Sequence, residues 1–267
     1  MTRIIQLALL VVRRPRSALR FIKYKFQSFN GTKEFIPFVI LSRARSGSNL
    51  LRAYLNSVDG VRVEAEILNW KRGRDVTNVV HKAYGKQPKN IKAKGFKLFY
   101  YHPNDGVSET VWDELTTYEN IVIFDLVREN LLDIVVSREL AELTDQWIVG
   151  NDVTGRKIGG PKLKLDPSRV ESLFKSMEAE RKSCLEYLSA RAIEIRYISY
   201  TQLVSDPVDV VTSLLTELEL PQKFCVSDRR SPRKQNNRPI SDIVVNYEEV
   251  REYFVGSDWE VYFSDAK

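Results

Sequence analysis

The chain has 267 residues, of which 43% are hydrophobic and 28% are charged. This balance is typical of a folded α/β domain and excludes disordered, collagen-like and low-complexity architectures. With Cys184 and Cys225 as its only cysteines, the chain cannot form a disulfide scaffold or a zinc site built on thiolates. Its two histidines are too few for a His-rich metal site. We therefore expect a reduced protein without a bound metal.

The positive charge of the chain is concentrated at its N-terminus. The net charge is +6, but residues 1–30 contain seven Lys and Arg residues and no Asp or Glu, so residues 31–267 carry a net charge of −1. A protein that binds nucleic acid usually spreads positive charge over its folded surface, so we predict no nucleic-acid partner. We divide the chain into a basic leader, residues 1–30, and one domain, residues 31–267.

The leader begins with the apolar run Ile4–Val12, which is nine residues long. A membrane-spanning helix needs about 20 residues, and no small-residue cleavage site of a secretory signal follows the run. In the rest of the leader, Lys and Arg alternate with bulky apolar residues, as in segments that lie in an anionic membrane interface. Two interpretations remain open. The leader either binds the inner membrane face from the cytoplasm or packs on the domain with its charges solvated.

Beyond Pro37, short apolar runs alternate with helical patterns. The predicted strands are Phe38–Leu41, Val61–Ala65, Gly95–Tyr101, Asn120–Arg128 and Ile193–Ser199. The predicted helices are Ser48–Ser57, a segment within Asp75–Tyr84, Ser108–Tyr118, Asn130–Trp147, Pro167–Ser189, Val208–Leu218 and Ile240–Phe254. We expect a long loop over Gly150–Leu165. Apolar strands that alternate with helices predict a three-layer α/β/α fold with a central parallel sheet covered on both faces.

The turn between the first strand and the first helix suits an anion. In this turn, Ser42–Asn49 (SRARSGSN), a glycine precedes the helix, so backbone N–H groups point at one spot where the helix dipole favours negative charge. A phosphate loop for nucleoside triphosphates reads GxxxxGK[ST]. Here the first glycine is absent, Ser48 stands at the lysine position, and Arg43 and Arg45 supply positive charge earlier. The turn therefore indicates an anion loop that lacks the residues for a magnesium–triphosphate complex.

Two motifs carry a resemblance to a known family. The segment SRARSGSNLL resembles the 5′-phosphosulfate loop of sulfotransferases that use 3′-phosphoadenosine 5′-phosphosulfate (PAPS), in particular the bacterial carbohydrate branch of lipopolysaccharide and nodulation-factor type. Val127–Ser137 (VRENLLDIVVS) is similar to the 3′-phosphate motif of that family, in which an arginine at a strand end precedes a helical serine by nine residues. Arg128 offers a forked donor, and Ser137 a hydroxyl, to one phosphate. Weaker similarities occur in the family's order, at residues 65–70, 197–207 and 234–250.

The resemblance implies a fold like that of the P-loop-containing nucleoside triphosphate hydrolases. It also implies transfer of a sulfuryl group from PAPS to a hydroxyl of a glycan or glycolipid, without a metal. The residues that it assigns to PAPS are Arg43, Arg45, Ser46, Gly47, Ser48, Asn49, Arg128, Ser137, Arg233 and Lys234. Asn49 departs from the Ser or Thr of the family, but its amide can donate a hydrogen bond. Thr201 and Gln202 replace an acidic pair.

Two residues are candidates for the general base that accepts the proton of the acceptor hydroxyl. Glu66 follows a predicted strand, at a position that the resemblance assigns to a base; alternatively it is a surface carboxylate at a helix start. His102 follows the predicted strand Gly95–Tyr101, and an imidazole titrates near neutrality; alternatively it is a packing residue. Lys97, on the same strand, either binds sulfate oxygens or extends its ammonium group to solvent.

Other functions explain parts of the sequence. A phosphate-loop kinase or NTPase would use the same turn, and Ile121–Asp125 imitates a strand that ends in a metal-binding aspartate. However, the loop lysine is missing and the apolar run continues beyond Asp125. A non-catalytic module at a membrane surface would explain the leader but not the two phosphate motifs. A preference for adenosine 3′,5′-bisphosphate over ATP with Mg²⁺ would distinguish the sulfotransferase from these alternatives.

Overall fold

The computed structural model describes residues 23–24, 26–69, 73–145, 160–225 and 238–264. Within these residues, parallel strands form one sheet in the order β2-β3-β1-β4-β5. The strands are β1 (Ile36–Ser42), β2 (Val61–Glu66), β3 (Ala93–Phe99), β4 (Val122–Val127) and β5 (Ile195–Ser199). The helices are α1 (Ser48–Leu55), α2 (Val76–Ala83), α3 (Glu109–Thr116), α4 (Leu131–Thr144), α5 (Pro167–Ser189), α6 (Tyr200–Ser205), α7 (Pro207–Glu217), α8 (Ile240–Ile243) and α9 (Tyr247–Tyr253). A 3₁₀ turn, Glu260–Phe263, follows α9.

The sheet separates two apolar layers, because successive residues of a strand point to opposite faces. On one face, Val39 and Leu41 of β1 pack with apolar residues of α2, α3 and α5. On the other face, Phe38 and Ile40 pack with apolar residues of α1 and α7. A third apolar cluster joins α4 and α5 to the C-terminal segment. The predicted three-layer α/β/α fold with a central parallel sheet is thus confirmed.

The C-terminal helix predicted over Ile240–Phe254 is wrong as a single element. It is broken between α8 and α9, where Val244 forms a parallel bridge with Leu163. The N–H of Leu163 donates to the carbonyl of Ile243 (2.8 Å), and the N–H of Val245 donates to that of Leu163 (2.8 Å). Val244 is apolar because it packs in this bridge with Leu163, far away in the chain, and not because it lies in a helix. Of the loop predicted over Gly150–Leu165, residues 150–159 lie outside the described residues.

A short helix that the sequence analysis missed, α6, lies between β5 and α7. The side chain of Ser199 caps it by accepting a hydrogen bond from the N–H of Gln202 (3.1 Å). At six residues, α6 is too short to show an apolar periodicity. Its first residue is Tyr200, which contacts the predicted anion loop.

The end of the basic leader lies against the domain. The hydroxyl of Tyr24 donates to the side chain of Gln87, and its ring centre lies 4.2 Å from the guanidinium carbon of Arg62. Gln87 also forms an isolated antiparallel bridge with Thr32. Residues 1–22, including the run Ile4–Val12, lie outside the described residues. No helix in the described ranges has the length and apolar character needed to cross a membrane.

Candidate functional site

The turn between β1 and α1 has the backbone geometry of an anion loop. Gly47 caps α1 with φ = 87°, in the left-handed region that favours glycine. A Cβ atom at this position would also overlap the ring of Tyr200. The side chains of Ser46 and Ser48 are buried in the turn. Because the first N–H groups of a helix have no partner within the helix, the start of α1 offers donors to an anion.

The structure brings the two predicted phosphate motifs together. Arg45 Nε donates to Ser137 Oγ on α4 (3.0 Å), and Arg128 Nη1 donates to the backbone carbonyl of Arg45 (3.2 Å). Arg128 Nη2 also pairs with Asp133 (2.9 Å). Residues separated by more than 80 positions in the chain therefore meet at the start of α1.

The charges of Arg45 and Arg128 favour a bound anion at this junction. The pKa of Arg45 is lowered, first by burial and then by the positive charge of Arg128. Arg128 Nε is buried and has no hydrogen-bond partner among the described residues. An anion placed between the two side chains would offset their repulsion and accept from Arg128.

Arg43, a predicted PAPS-binding residue, stands apart from this group. The guanidinium of Arg43 pairs with Glu180 of α5 and donates to the carbonyl of Met177 (3.5 Å). Its positive charge is therefore already opposed by a carboxylate of α5. Two more predicted PAPS-binding residues, Arg233 and Lys234, lie outside the described residues.

A bulge in the edge strand β2 decides where Glu66 points. Glu64 pairs with Phe96 and Glu66 pairs with Lys97, so Ala65 is an extra residue in β2. In a regular strand without the bulge, Glu64 and Glu66 are two residues apart and would lie on the same face of the sheet. With it, Glu66 faces the side of the sheet that carries α1, while Glu64 pairs with Lys94 on the opposite side.

Lys97 links Glu66 to the anion loop. Its ammonium group lies 2.7 Å from Glu66 Oε1 and 2.7 Å from Asn49 Oδ1. Burial lowers the pKa of Lys97, and the Glu66 carboxylate opposes this effect. Since Asn49 accepts through its oxygen, its NH₂ group remains oriented away from Lys97. The side chain of Glu66 is 28% exposed, so a ligand can approach a carboxylate that is held beside the loop.

His102 is buried beside the same cluster. Its Nδ1 accepts a hydrogen bond from the N–H of Phe99 (3.3 Å), which assigns the proton of the neutral ring to Nε2. Burial lowers its pKa to about 4, and the charge of Lys97 acts in the same direction. In this tautomer neither ring nitrogen has a free lone pair, so His102 is arranged to donate rather than to accept a proton. Of the two candidate residues, Glu66 is the one with an exposed group that can accept a proton.

Asp125, which imitates a metal-binding aspartate in the sequence, lies inside β4. Its carboxylate accepts from the hydroxyl of Tyr100 and from two nitrogens of Arg181, at 3.0 and 2.6 Å. Asp125 is thus the buried partner of an arginine. Among the described residues, no group of three or more His, Cys, Asp and Glu side chains could hold a metal ion.

Two residues of the site, Glu129 and Tyr200, were not predicted from the sequence. Glu129 directly follows Arg128 and accepts from the hydroxyls of Ser199 and Thr201, the latter at 2.9 Å. Burial would raise the pKa of Glu129, but these hydrogen bonds outweigh it and lower the pKa. Glu129 thus supplies a carboxylate where Thr201 and Gln202 replace the acidic pair of the similar family. The loss of that pair, together with an acid next to Arg128, was a signal available in the sequence.

Comparisons with known proteins identified similar chains and a similar structure. No protein-family model matches the chain. Nodulation protein H of Rhizobium meliloti (strain 1021) is 25% identical over 244 residues, covering 86% of this chain and 96% of the relative. Nodulation protein H of Rhizobium tropici is 24% identical over 244 residues, covering 85% and 92%. The crystal structure of a sulfotransferase from Alicyclobacillus acidocaldarius aligns with a TM-score of 0.48 and 15% identity, covering 81% of this chain and 90% of that one.

These relatives confirm the resemblance that the sequence motifs carry. The match to nodulation protein H extends far beyond the two phosphate motifs, and both relatives are covered almost completely. The chain is therefore similar over most of its length to nodulation protein H.

Proposed function

We propose that the protein is a sulfotransferase that moves the sulfuryl group of PAPS to an acceptor hydroxyl. The observation that carries this proposal is the contact between the two phosphate motifs, made by Arg45 with Ser137 and by Arg128 with the carbonyl of Arg45. PAPS has a 5′-phosphosulfate and a separate 3′-phosphate, so it needs two anion sites side by side. A nucleoside triphosphate needs one continuous site, which usually includes a lysine and a metal ion.

The residues where the two phosphate motifs meet suit both the 5′-phosphosulfate and the 3′-phosphate of PAPS. The N–H groups at the start of α1, together with Arg45, would hold the 5′-phosphosulfate, and Arg128 and Ser137 would hold the 3′-phosphate. Arg128 Nε fits a charged acceptor because it is buried without a partner among the described residues. PAPS would supply the sulfuryl group, and adenosine 3′,5′-bisphosphate would leave. The donors of the loop would stabilise the negative charge that develops on the leaving phosphate.

Glu66 would act as the general base. The acceptor oxygen forms a bond to sulfur as the bond from sulfur to the leaving phosphate oxygen breaks, and the hydroxyl proton passes to the Glu66 carboxylate. Lys97 holds this carboxylate 2.7 Å from its ammonium group and holds Asn49 of the loop at the same distance. The base is thereby fixed relative to the anion loop. We propose a glycan or glycolipid as the acceptor, because the motifs resemble the carbohydrate branch and the relatives are nodulation proteins.

The proposed function is tested by comparing how strongly two nucleotides stabilise the protein. In thermal unfolding, about 1 mM adenosine 3′,5′-bisphosphate should stabilise the protein by about 4 kcal/mol if its dissociation constant is about 1 μM. ATP with Mg²⁺ at the same concentration should stabilise it much less, because the loop lacks the phosphate-binding lysine. A larger effect of ATP with Mg²⁺ would contradict the proposal and favour a kinase or NTPase.

We also propose that the protein acts in the cytoplasm at the anionic inner face of a membrane. Phe26 and Phe29 are 76% and 81% exposed. They follow Tyr24, whose ring contacts Arg62 of the domain, by two and five residues. Each basic residue of the leader would contribute about 1 kcal/mol near an anionic surface, and the exposed rings would add hydrophobic attachment.

The membrane proposal predicts that a truncated protein beginning at Gly31 keeps nucleotide binding but loses salt-sensitive binding to anionic vesicles. Co-sedimentation with phosphatidylglycerol vesicles at low and high salt measures this loss. In the full-length chain, the double substitution Phe26→Ser and Phe29→Ser should weaken vesicle binding and leave nucleotide binding unchanged. Equal vesicle binding by the full-length and truncated proteins would refute the proposal. Unfolding of the truncated protein would favour the alternative of a helix packed on the domain.

A further inference from the structure

The ring of Tyr200 contacts both phosphate motifs. It contacts Gly47, where a Cβ atom would overlap the ring carbons. The guanidinium carbon of Arg128 also lies 4.9 Å from the ring centre. A cation at this distance from an aromatic ring is attracted by its negative face. One side chain therefore contacts both the anion loop and the arginine proposed to bind the 3′-phosphate.

The contact at Gly47 restricts the loop more than the glycine alone would. The φ of 87° is readily reached by glycine, which also has many other conformations available. The ring of Tyr200 occupies the space beside the Cα atom and so blocks movement of the loop backbone in that direction. The glycine is needed both for its conformation and for the close approach of the ring.

Tyr200 is itself fixed by a carboxylate. It lies between Ser199 and Thr201, and Glu129 accepts hydrogen bonds from the hydroxyls of both. The N–H of Thr201 also donates to Glu129 (3.4 Å). Since Glu129 directly follows Arg128, the residue proposed to bind the phosphate is adjacent to the one that holds the start of α6.

We propose that Tyr200 is a positioning residue whose ring, held in place through Glu129, sets the spacing between the anion loop and Arg128. This inference rests on the proposed function, because that spacing is the distance between the two phosphate sites for PAPS. The ring, rather than the hydroxyl, is the part of the side chain that makes the contacts with Gly47 and Arg128. Phenylalanine at position 200 should therefore preserve the position of the loop and nucleotide binding, and alanine should not.

Two measurements on the full-length protein test the role of Tyr200. Hydrogen exchange of the loop amides 45–51, without ligand, reports how firmly the loop is held. The dissociation constant of adenosine 3′,5′-bisphosphate reports the spacing of the phosphate sites. Tyr200→Ala should speed loop exchange and weaken nucleotide binding about 10-fold, the lower end of the loss of one charged hydrogen bond. Tyr200→Phe should match the wild type in both. Tyr253→Ala, which removes a half-exposed tyrosine on α9, is the matched control and should change neither.

These measurements have outcomes that would overturn the positioning role of Tyr200. Wild-type exchange and affinity in Tyr200→Ala would overturn it, as would Tyr200→Phe binding as weakly as Tyr200→Ala, because the hydroxyl would then be the active part. If Tyr200→Ala does not fold, Glu129→Ala replaces it and should give faster loop exchange and weaker binding. If the wild type does not bind the nucleotide, the proposed function fails. The exchange data alone then decide whether the ring holds the loop.

Discussion

Glu66→Gln is expected to lower the rate of sulfuryl transfer by roughly 10²–10⁴-fold and to leave nucleotide binding intact. Glutamine keeps the shape of the side chain, and its amide oxygen can still accept from Lys97, so the link to Asn49 of the loop should persist. It cannot take up the proton of the acceptor hydroxyl. The measurement compares turnover from PAPS to an oligosaccharide acceptor with the dissociation constant of adenosine 3′,5′-bisphosphate.

Two further variants make the Glu66 result specific. Glu64→Gln changes a carboxylate of the same strand that pairs with Lys94 on the other side of the sheet, so it should leave turnover near that of the wild type. His102→Ala should cost much less turnover than Glu66→Gln, because the lone pair of Nδ1 is already used by the N–H of Phe99. The reverse ranking would move the base to His102 and leave Glu66 with a structural role.

Arg128→Ala is expected to weaken binding of adenosine 3′,5′-bisphosphate by about 1.5–3 kcal/mol, the range for a hydrogen bond with a charged group. The guanidinium would lose its contact with the 3′-phosphate and its hydrogen bond to the carbonyl of Arg45 (3.2 Å). Isothermal titration measures the affinity, and unfolding without ligand measures the stability cost of leaving Asp133 without its partner.

A comparison of nucleotides separates a role at the 3′-phosphate from a general loss of positive charge. Adenosine 5′-phosphate has no 3′-phosphate, so Arg128→Ala should change its binding far less than that of the bisphosphate. Arg169→Ala removes an exposed arginine that pairs with Glu139, and it should affect neither nucleotide. An equal loss for both nucleotides in Arg128→Ala would show that Arg128 acts through the loop instead.

Local sequence patterns were sufficient to predict the fold class and to locate the two motifs that we propose bind phosphate. Each strand of the sheet overlaps a predicted strand. The strands β1 and β4 are largely buried on both faces, so they appear in the sequence as nearly continuous apolar runs. The turn before α1 was recognisable because Gly47 and its neighbours are consecutive in the chain. Arg128 and Ser137 were recognised through their resemblance to a family motif in which an arginine at a strand end precedes a helical serine by nine residues.

Patterns failed where distant segments make contact. The helix predicted over Ile240–Phe254 is interrupted because Val244 pairs with Leu163, about 80 residues earlier. Helix α6 is held by the Ser199 cap and by Glu129 from another strand end, neither of which leaves an apolar periodicity in the sequence.

The sequence by itself determined which residue types are available for the chemistry: a glycine turn with arginines, a second arginine with a serine, and a carboxylate after an edge strand. Only the tertiary structure decided which of them meet. Strand alternation would have placed Glu66 beside Glu64, and the extra residue Ala65 turns it to Lys97. In the structure, Arg43 also forms a salt bridge with Glu180, and the ring of Tyr200 packs against Gly47. The physical reason is that side-chain direction depends on strand register and on packing between elements, and neither is encoded in a stretch of neighbouring residues.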